Sequence, residues 1–250
     1  TLQDRISIFN KWNFIRKSQK EFTVAGRFFF EDRWGGEMQW NKNYRGGNQI
    51  YGESIYTTRF ELLSKYQLPT KENMSLSFSL TSHDQNSVYG TTLYLAQQKI
   101  AFGQYLWNTK LNRHNLLFGA AFRHQYYNDN TTATLKPEST NIYSIFIQDE
   151  IKLAEKNSIL LGSRYDYNNN HGTIFTPRIA YKWNPTKNDI LRINTGSGFR
   201  IVNLFTEEHA ALTGSRDVII TENLKPEKSY NINLNYLKKI MFADATFLGL

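Results

Sequence analysis

The chain has 250 residues, a net charge of +8 and no cysteine, so thiolate metal sites and disulfide scaffolds are excluded. Its 30 Lys and Arg residues are spread along the chain rather than gathered into a basic stripe, so a nucleic-acid partner is not expected. The mean hydropathy is polar and no apolar window of about 18 to 20 residues offers a spanning helix, but a β-barrel escapes that test because its strands alternate apolar and polar residues.

Period-two patterning begins near residues 4 to 16 and 22 to 33 and continues near 55 to 68. The first sharp case is NMSLSFSLTSH, Asn73 to His83, where Met74, Leu76, Phe78 and Leu80 alternate with Ser75, Ser77, Ser79 and Thr81. A helix would mix these faces, so this is a strand with one apolar side. Further strands are expected near 91 to 107, 114 to 127, 141 to 153, 158 to 168, 174 to 184 and 189 to 199. A second sharp case follows at SYNINLNYL, Ser229 to Leu237, and a last strand is expected near 241 to 250. Many of these about twelve strands have nine to eleven residues or more, the length a tilted strand needs to cross a bilayer. Strands of soluble domains usually have about five or six.

The connectors alternate in the way an outer-membrane barrel requires, short turns at one end and longer loops at the other. KSQKE (17 to 21), PTKE (69 to 72), TKLNRH (109 to 114), AEKN (154 to 157), NPTKN (184 to 188) and LKKI (237 to 240) are the expected short turns. The expected outer loops are 34 to 54, 84 to 90, 128 to 140, 168 to 173 and 200 to 228. Aromatic residues gather toward strand ends, as at Tyr126 and Tyr127, Tyr165 and Tyr167, Tyr181 and Trp183, and Tyr230 and Tyr236, which suits interfacial girdles. A cation at the bilayer midplane costs about 2 to 4 kcal/mol, so charged sides should face the lumen. On 141 to 153 this turns Tyr143, Ile145, Ile147 and Ile151 outward and Gln148, Glu150 and Lys152 inward, leaving Asp149 on the lipid side, near the headgroups if the register is right.

The second half resembles a known family, the TonB-dependent receptors of the Gram-negative outer membrane. The residues that carry the resemblance are SIFIQDEIKL (144 to 153), LLGSRYDYN (160 to 168), FTPRIAYKWNP (175 to 185), LRINTGSGFRIVNLFTEEHA (191 to 210) and NLKPEKSYNINLNY (223 to 236), five strand motifs in order. GGNQIYGESIYTTRFEL (46 to 62) looks like receptors of the Bacteroidetes group. The resemblance implies an all-β antiparallel transmembrane barrel, with this chain supplying about 12 strands of a larger, 22-stranded one. It also implies a plug domain, a TonB-contacting segment and terminal strands outside these 250 residues. The start, TLQDRISIFN, has no charged n-region and apolar h-region, so the chain reads as mature, truncated or never exported.

No cofactor or catalytic chemistry is expected. Gly196-Ser197-Gly198 lacks the third glycine and the Lys-Ser/Thr of a phosphate loop, and reads as a strand whose backbone is closely approached or which bends at the barrel wall. Glu207, Glu208 and His209 are adjacent on an extended chain and cannot all converge on one ion. His83 and His171 fall at strand tips, and no nucleophile elbow is present. Ligand capture suits the outer loops better, where Trp34, Trp40, Tyr44, Arg45, Tyr51, Tyr126, Tyr127, Arg200, His209 and Arg216 offer rings and cations for a bulky anionic metal chelate. The resemblance implies import of a scarce nutrient, a ferric siderophore first, with TonB, the receptor's own plug, outer-membrane lipid and lipopolysaccharide as partners. Receptors for cobalamin, haem or oligosaccharides, a plug-free porin or adhesin, and a soluble β protein remain the alternatives.

Overall fold

The computed structural model describes residues 2–201, 222, 224–242 and 245–249. They form one 12-stranded antiparallel sheet in which every strand pairs with its neighbours in sequence. The strands are β1 (Leu2–Asn13), β2 (Phe22–Gly36), β3 (Gly52–Gln67), β4 (Asn73–Tyr89), β5 (Thr92–Leu111), β6 (His114–Asp129), β7 (Glu138–Ala154), β8 (Asn157–Asn168), β9 (Gly172–Trp183), β10 (Asp189–Arg200), β11 (Glu227–Phe242) and β12 (Ala245–Gly249). A single 3-10 turn, Lys42–Tyr44, lies between β2 and β3. The expected all-β class and strand number therefore hold, with β1 and β12 as the two edges.

Register divides each strand into two faces. Leu80 of β4 stands opposite Leu62 of β3 and Ala101 of β5, and Ile145 of β7 opposite Ala120 and Tyr165, so the apolar residues align into one continuous outward band. Tyr143, Ile145 and Ile147 are exposed on this face, Ile145 at 63%, which only lipid can match. At the short-turn end the band closes with rings, Phe22 beside Tyr66, Trp107 stacked on Phe118, and Trp183 aligned through Leu191 with Tyr236. At the long-loop end Phe122 lies against Tyr143, which faces Tyr167. The opposite face carries most of the strand charges, including the Arg5–Glu31 pair and Arg59–Glu61 at 2.6 Å. Ions on this side avoid the lipid penalty, so it is the lumenal face.

Asp149 lies on the outward face, opposite Leu116 and Leu161, as the register requires. Its carboxylate meets His114 Nδ1 at 2.6 Å, and His114 is the first residue of β6, at the short-turn border of the band. The acidic group is thereby placed at the headgroup level, hydrogen-bonded rather than bare in lipid.

Four expected boundaries change. LKKI is not a turn: β11 runs through it, Leu237 and Lys238 pairing with Ile190 and Asp189, and Lys239 N–H donates to Asn188 O at 2.8 Å. The doubled lysine breaks the alternation, but the ladder continues because β10 supplies partners for its backbone groups. Residues 84 to 89 are likewise strand, not loop. Gly90 has φ +59°, and this left-handed residue lets β4 reverse into β5 across two residues, so the ladder extends to Tyr89–Thr92. The turn after β5 narrows to Asn112 and Arg113, and β1 ends at Asn13 rather than near 16.

One ladder is short. β9 pairs with β10 only from Trp183–Leu191 to Arg178–Gly196 and stops where Pro177 has no N–H to give. Beyond it, β10 continues against β11 alone. Gly196 does face a close approach, as its motif suggested, but from the neighbouring strand: a Cβ there would stand 3.2 Å from Pro177 O.

Candidate functional site at the outer mouth

The lumenal face at the long-loop end encloses a cavity of about 1170 Å³. Its floor is laid by β6, β7 and β8, whose lumenal residues Arg123, Ser144 and Arg164 come together because odd positions of β6 register with even positions of β7 and β8. Its rim comes from residues 134 to 138, from Asn169 to His171, and from Arg200, Ile201 and Leu224. The volume exceeds the about 300 to 1,000 Å³ typical of small-molecule pockets, so bulky cargo fits.

Four cations reach it, Arg123, Lys136, Arg164 and Arg200, against the carboxylates of Glu138 and Asp166. Arg164 is fixed. Its Nε donates to both carboxylate oxygens of Asp166 at 2.9 Å, Nη2 donates to Ser144 Oγ at 2.7 Å, and that hydroxyl donates to Asp166 Oδ1 at 2.5 Å. Asp166 is fully buried, so removing Arg164 would strand its charge. The guanidinium also lies 5.3 Å from the Phe146 ring centroid, and that ring fills the space left by Gly119, where a Cβ would stand 2.0 Å from Cζ. Arg200 is bridged to Glu227 across the β10–β11 ladder through Nε at 3.0 Å and Nη2 at 2.9 Å. Arg123 donates to Gln125 Oε1 at 2.8 Å, and no carboxylate among the described residues pairs with it or with Lys136. These two are the cations free to meet an anionic ligand.

The rim is held by short-range polar chemistry. Asn168, fully buried, accepts the N–H groups of Asn170 and His171 and so shapes the β8–β9 turn. Tyr127 donates to Asp129 at 2.5 Å, and Asp129 accepts from the backbone and hydroxyl of Thr131, which sets the departure of the following loop. Beside it Ile55, Tyr89, Tyr94 and Ala96 form a small buried core on the lumenal side of β3 to β5.

The structure distributes the expected capture residues over both sides of the wall. Tyr127 and Arg200 face the lumen and line the cavity. Tyr51 leans toward the lumenal rim, its hydroxyl 2.8 Å from Glu53, a hydrogen bond that raises its pKa above the usual phenol value. Trp34 and Tyr126 instead belong to the outward face, aligned with Ser54 and Lys99. The loop of residues 37 to 51 folds down over that outward side. Arg45 donates to Ser54 Oγ at 3.1 Å and Asn86 Oδ1 at 2.7 Å, and stacks over Tyr56 at 4.9 Å. Lys42 meets Asp32 at 2.5 Å, which raises the ammonium pKa, and sits 4.3 Å over Trp34. Trp40 occupies the space over Gly52, and Tyr44 closes the 3-10 turn. His209 and Arg216, with Glu207 and Glu208, lie outside the described residues. Sequence reading missed Arg123 and Arg164, because strand charges at alternate positions signal only a lumenal side, and Lys136, which lies in the loop between β6 and β7. Among the described residues no group of three His, Asp or Glu is placed to hold a metal ion.

Comparison with known proteins fits this arrangement. The family model described as "TonB dependent receptor-like, beta-barrel" matches residues 2–248. A curated relative, the iron-regulated outer membrane virulence protein of Vibrio cholerae serotype O1, is 29% identical over 132 residues, 51% of this chain and 20% of that protein. The crystal structure of the siderophore receptor PirA from Pseudomonas aeruginosa superposes with a TM-score of 0.70 at 12% identity, covering 96% of this chain and 44% of that one. The FrpB iron transporter from Neisseria meningitidis gives 0.68 at 12% identity, covering 94% and 42%. The chain thus spans about a fifth of the curated relative and under half of the solved receptors. With a lipid-facing band, a charged lumen and a family match over nearly all its length, the chain belongs to the TonB-dependent receptor β-barrel family of the Gram-negative outer membrane.

Proposed function

We propose that the intact protein imports a ferric siderophore, with this chain forming part of a 22-stranded barrel around a plug that TonB pulls. The observation that carries the reading is the lumenal cavity at the outer mouth, wide enough for a chelate and lined by Arg123 and Lys136, which pair with no carboxylate among the described residues. The relatives, an iron-regulated outer membrane protein, a siderophore receptor and an iron transporter, support it. Cargo would be held by Arg123, Lys136 and the fixed Arg164, with Tyr51, Tyr127 and Arg200 at the rim; His209 and Arg216, outside the described residues, are further expected contacts. Trp34, Trp40, Tyr44, Arg45 and Tyr126 would shape the rim from outside the wall. No covalent chemistry is involved, and the import step belongs to plug and TonB.

The test uses the full-length receptor. A ferric tris-catecholate and a ferric tris-hydroxamate are titrated against it, and cells carrying it as their only iron receptor are grown on each chelate with and without TonB. Binding of one chelate, weakened at least tenfold by Arg123→Gln with Lys136→Gln, and TonB-dependent growth are expected. Growth on neither chelate, or growth without TonB, would overturn the reading.

A further inference from the structure

Dispersed along the chain, the cations gather in space at the short-turn end. Residues 14–21, 67–73, 110–113, 152–157 and 182–189 make the five described short turns and the strand ends beside them, and they hold ten Lys and Arg against four Asp and Glu. The carboxylates are mostly tied back to the wall. Glu21 accepts from Lys65 Nζ at 2.7 Å, Glu72 from Trp107 Nε1 at 3.3 Å and Asp189 from the Tyr236 hydroxyl at 2.6 Å. The cations are not consumed in this way. Each turn presents an exposed one, in chain order Lys17, Lys71, Arg113, Lys156 and Lys187, and none of these forms an ion pair among the described residues. Lys156 is steadied by a single hydrogen bond to Pro185 O at 3.1 Å, which leaves its ammonium with donors to spare.

Capture of cargo at the outer mouth calls for no cations on the turns at the other end, and like charges held side by side oppose the fold. The bilayer does not account for the rim either. Lys152 and Lys182 both align with Ser158, and Lys110 with Asn115, all on the lumenal side of the last rungs, where lipid headgroups do not reach. The partner therefore comes from the aqueous space beneath the membrane. Successive turns are two strands apart, about 10 Å, so the five cover about 40 Å. That spacing is also about the screening length in 0.1 M salt, so each cation acts alone. One carboxylate on one exposed lysine gains at most about 1 kcal/mol. A chain that repeats its carboxylates meets several turns at once, and linked weak contacts multiply.

We propose that the short-turn rim is a docking surface for the carboxylate-bearing polymer of the periplasm, the peptidoglycan, whose peptide stems place their carboxylates on Lys17, Lys71, Arg113, Lys156 and Lys187. Contact with the wall would hold the receptor in place while its plug is pulled from below. The surface is independent of the cargo reading, because it lies at the opposite end of the sheet from the capture cavity.

The experiment sediments the full-length receptor, in neutral detergent and 0.1 M salt, with purified peptidoglycan sacculi. The other probes are sacculi whose carboxylates have been amidated, and phosphatidylglycerol vesicles. Binding to intact sacculi should fall at least tenfold when Lys17→Gln, Lys71→Gln, Arg113→Gln, Lys156→Gln and Lys187→Gln are combined. It should stay within twofold of the parent when the four lysines become arginine and Arg113 becomes lysine. Amidated sacculi should hold the parent no better than the neutralised variant. The urea midpoint of refolding, measured alongside, reports that each variant is folded. A parent that does not sediment with intact sacculi would overturn the proposal, as would equal binding by the neutralised variant or equal binding to amidated sacculi. Tighter binding to phosphatidylglycerol than to sacculi would assign the rim to lipid and overturn it too.

Discussion

Gly52→Ala tests whether the loop of residues 37 to 51 is truly locked to the outside of the wall. A Cβ at position 52 would stand 2.2 Å from Cδ1 and Nε1 of Trp40 and 2.4 Å from Cε2. Ordinary contact begins near 3.4 Å, so the indole must retreat by about 1.2 Å. It has little freedom to do so, because Trp40 N–H is bonded to Glu37 O at 2.9 Å and the next turn is pinned through Lys42 and Arg45. Forcing a group into filled space costs about 1 to 3 kcal/mol, and a value near 2 multiplies the open-loop population about 30-fold. Trypsin reads that population directly, since it cuts after Lys42 and Arg45, whose side chains are engaged in the closed loop. The full-length receptor with Gly52→Ala should be nicked in this loop some 5- to 100-fold faster than the parent. In a Trp40→Ala background the same substitution should add little, since the clash is gone. A nicking rate within twofold of the parent, or an equal effect in both backgrounds, would refute the packing argument.

Other consequences are checked more simply. Ile145→Arg, in the middle of the outward band, should cost about 2 to 4 kcal/mol in refolding from urea into lipid, whereas Gln148→Arg on the lumenal side should cost under about 1; equal costs would invert the assigned faces. Asp166→Ala leaves Ser144 and the part-exposed Arg164 without their acceptor, and should destabilise the barrel by about 1 to 3 kcal/mol while Arg123→Gln leaves stability unchanged. Glu21, in the first short turn, has its pKa lowered chiefly by the hydrogen bond from Lys65 Nζ at 2.7 Å. Its contribution is therefore present above the ordinary carboxylate range and lost as pH falls through the lowered value. Because both side chains are about half exposed, Lys65→Met should remove an acid-side change of at most about 0.5 kcal/mol, read from the pH dependence of refolding.

Much of the architecture was legible in the alternation itself. Met74, Leu76, Phe78 and Leu80 against Ser75, Ser77, Ser79 and Thr81 fix the face of β4 whatever its neighbours, because the side-chain period of a strand is two. Two of the failures share one cause. At LKKI and at residues 84 to 89 the local composition is that of a turn, but an adjacent strand offers a full ladder, and the strand continues. Backbone hydrogen bonding to a neighbour is not written in the segment that receives it.

The site divides the same way. Sequence by itself determined the strand class, the two faces of the clearly alternating strands and the family, since these follow from period and from ordered motifs. Only the tertiary structure decided which side of the wall each outer residue serves. Arg45, Trp40 and Lys42 look like mouth residues in the chain, yet the loop carries them over the outer surface through contacts to Asn86, Gly52 and Asp32. Arg123, Arg164 and Ser144, distant in sequence and unremarked there, meet on the lumenal floor because antiparallel register brings them into one row. Cross-strand register is a property of the assembled sheet, and position in the cavity follows from register alone.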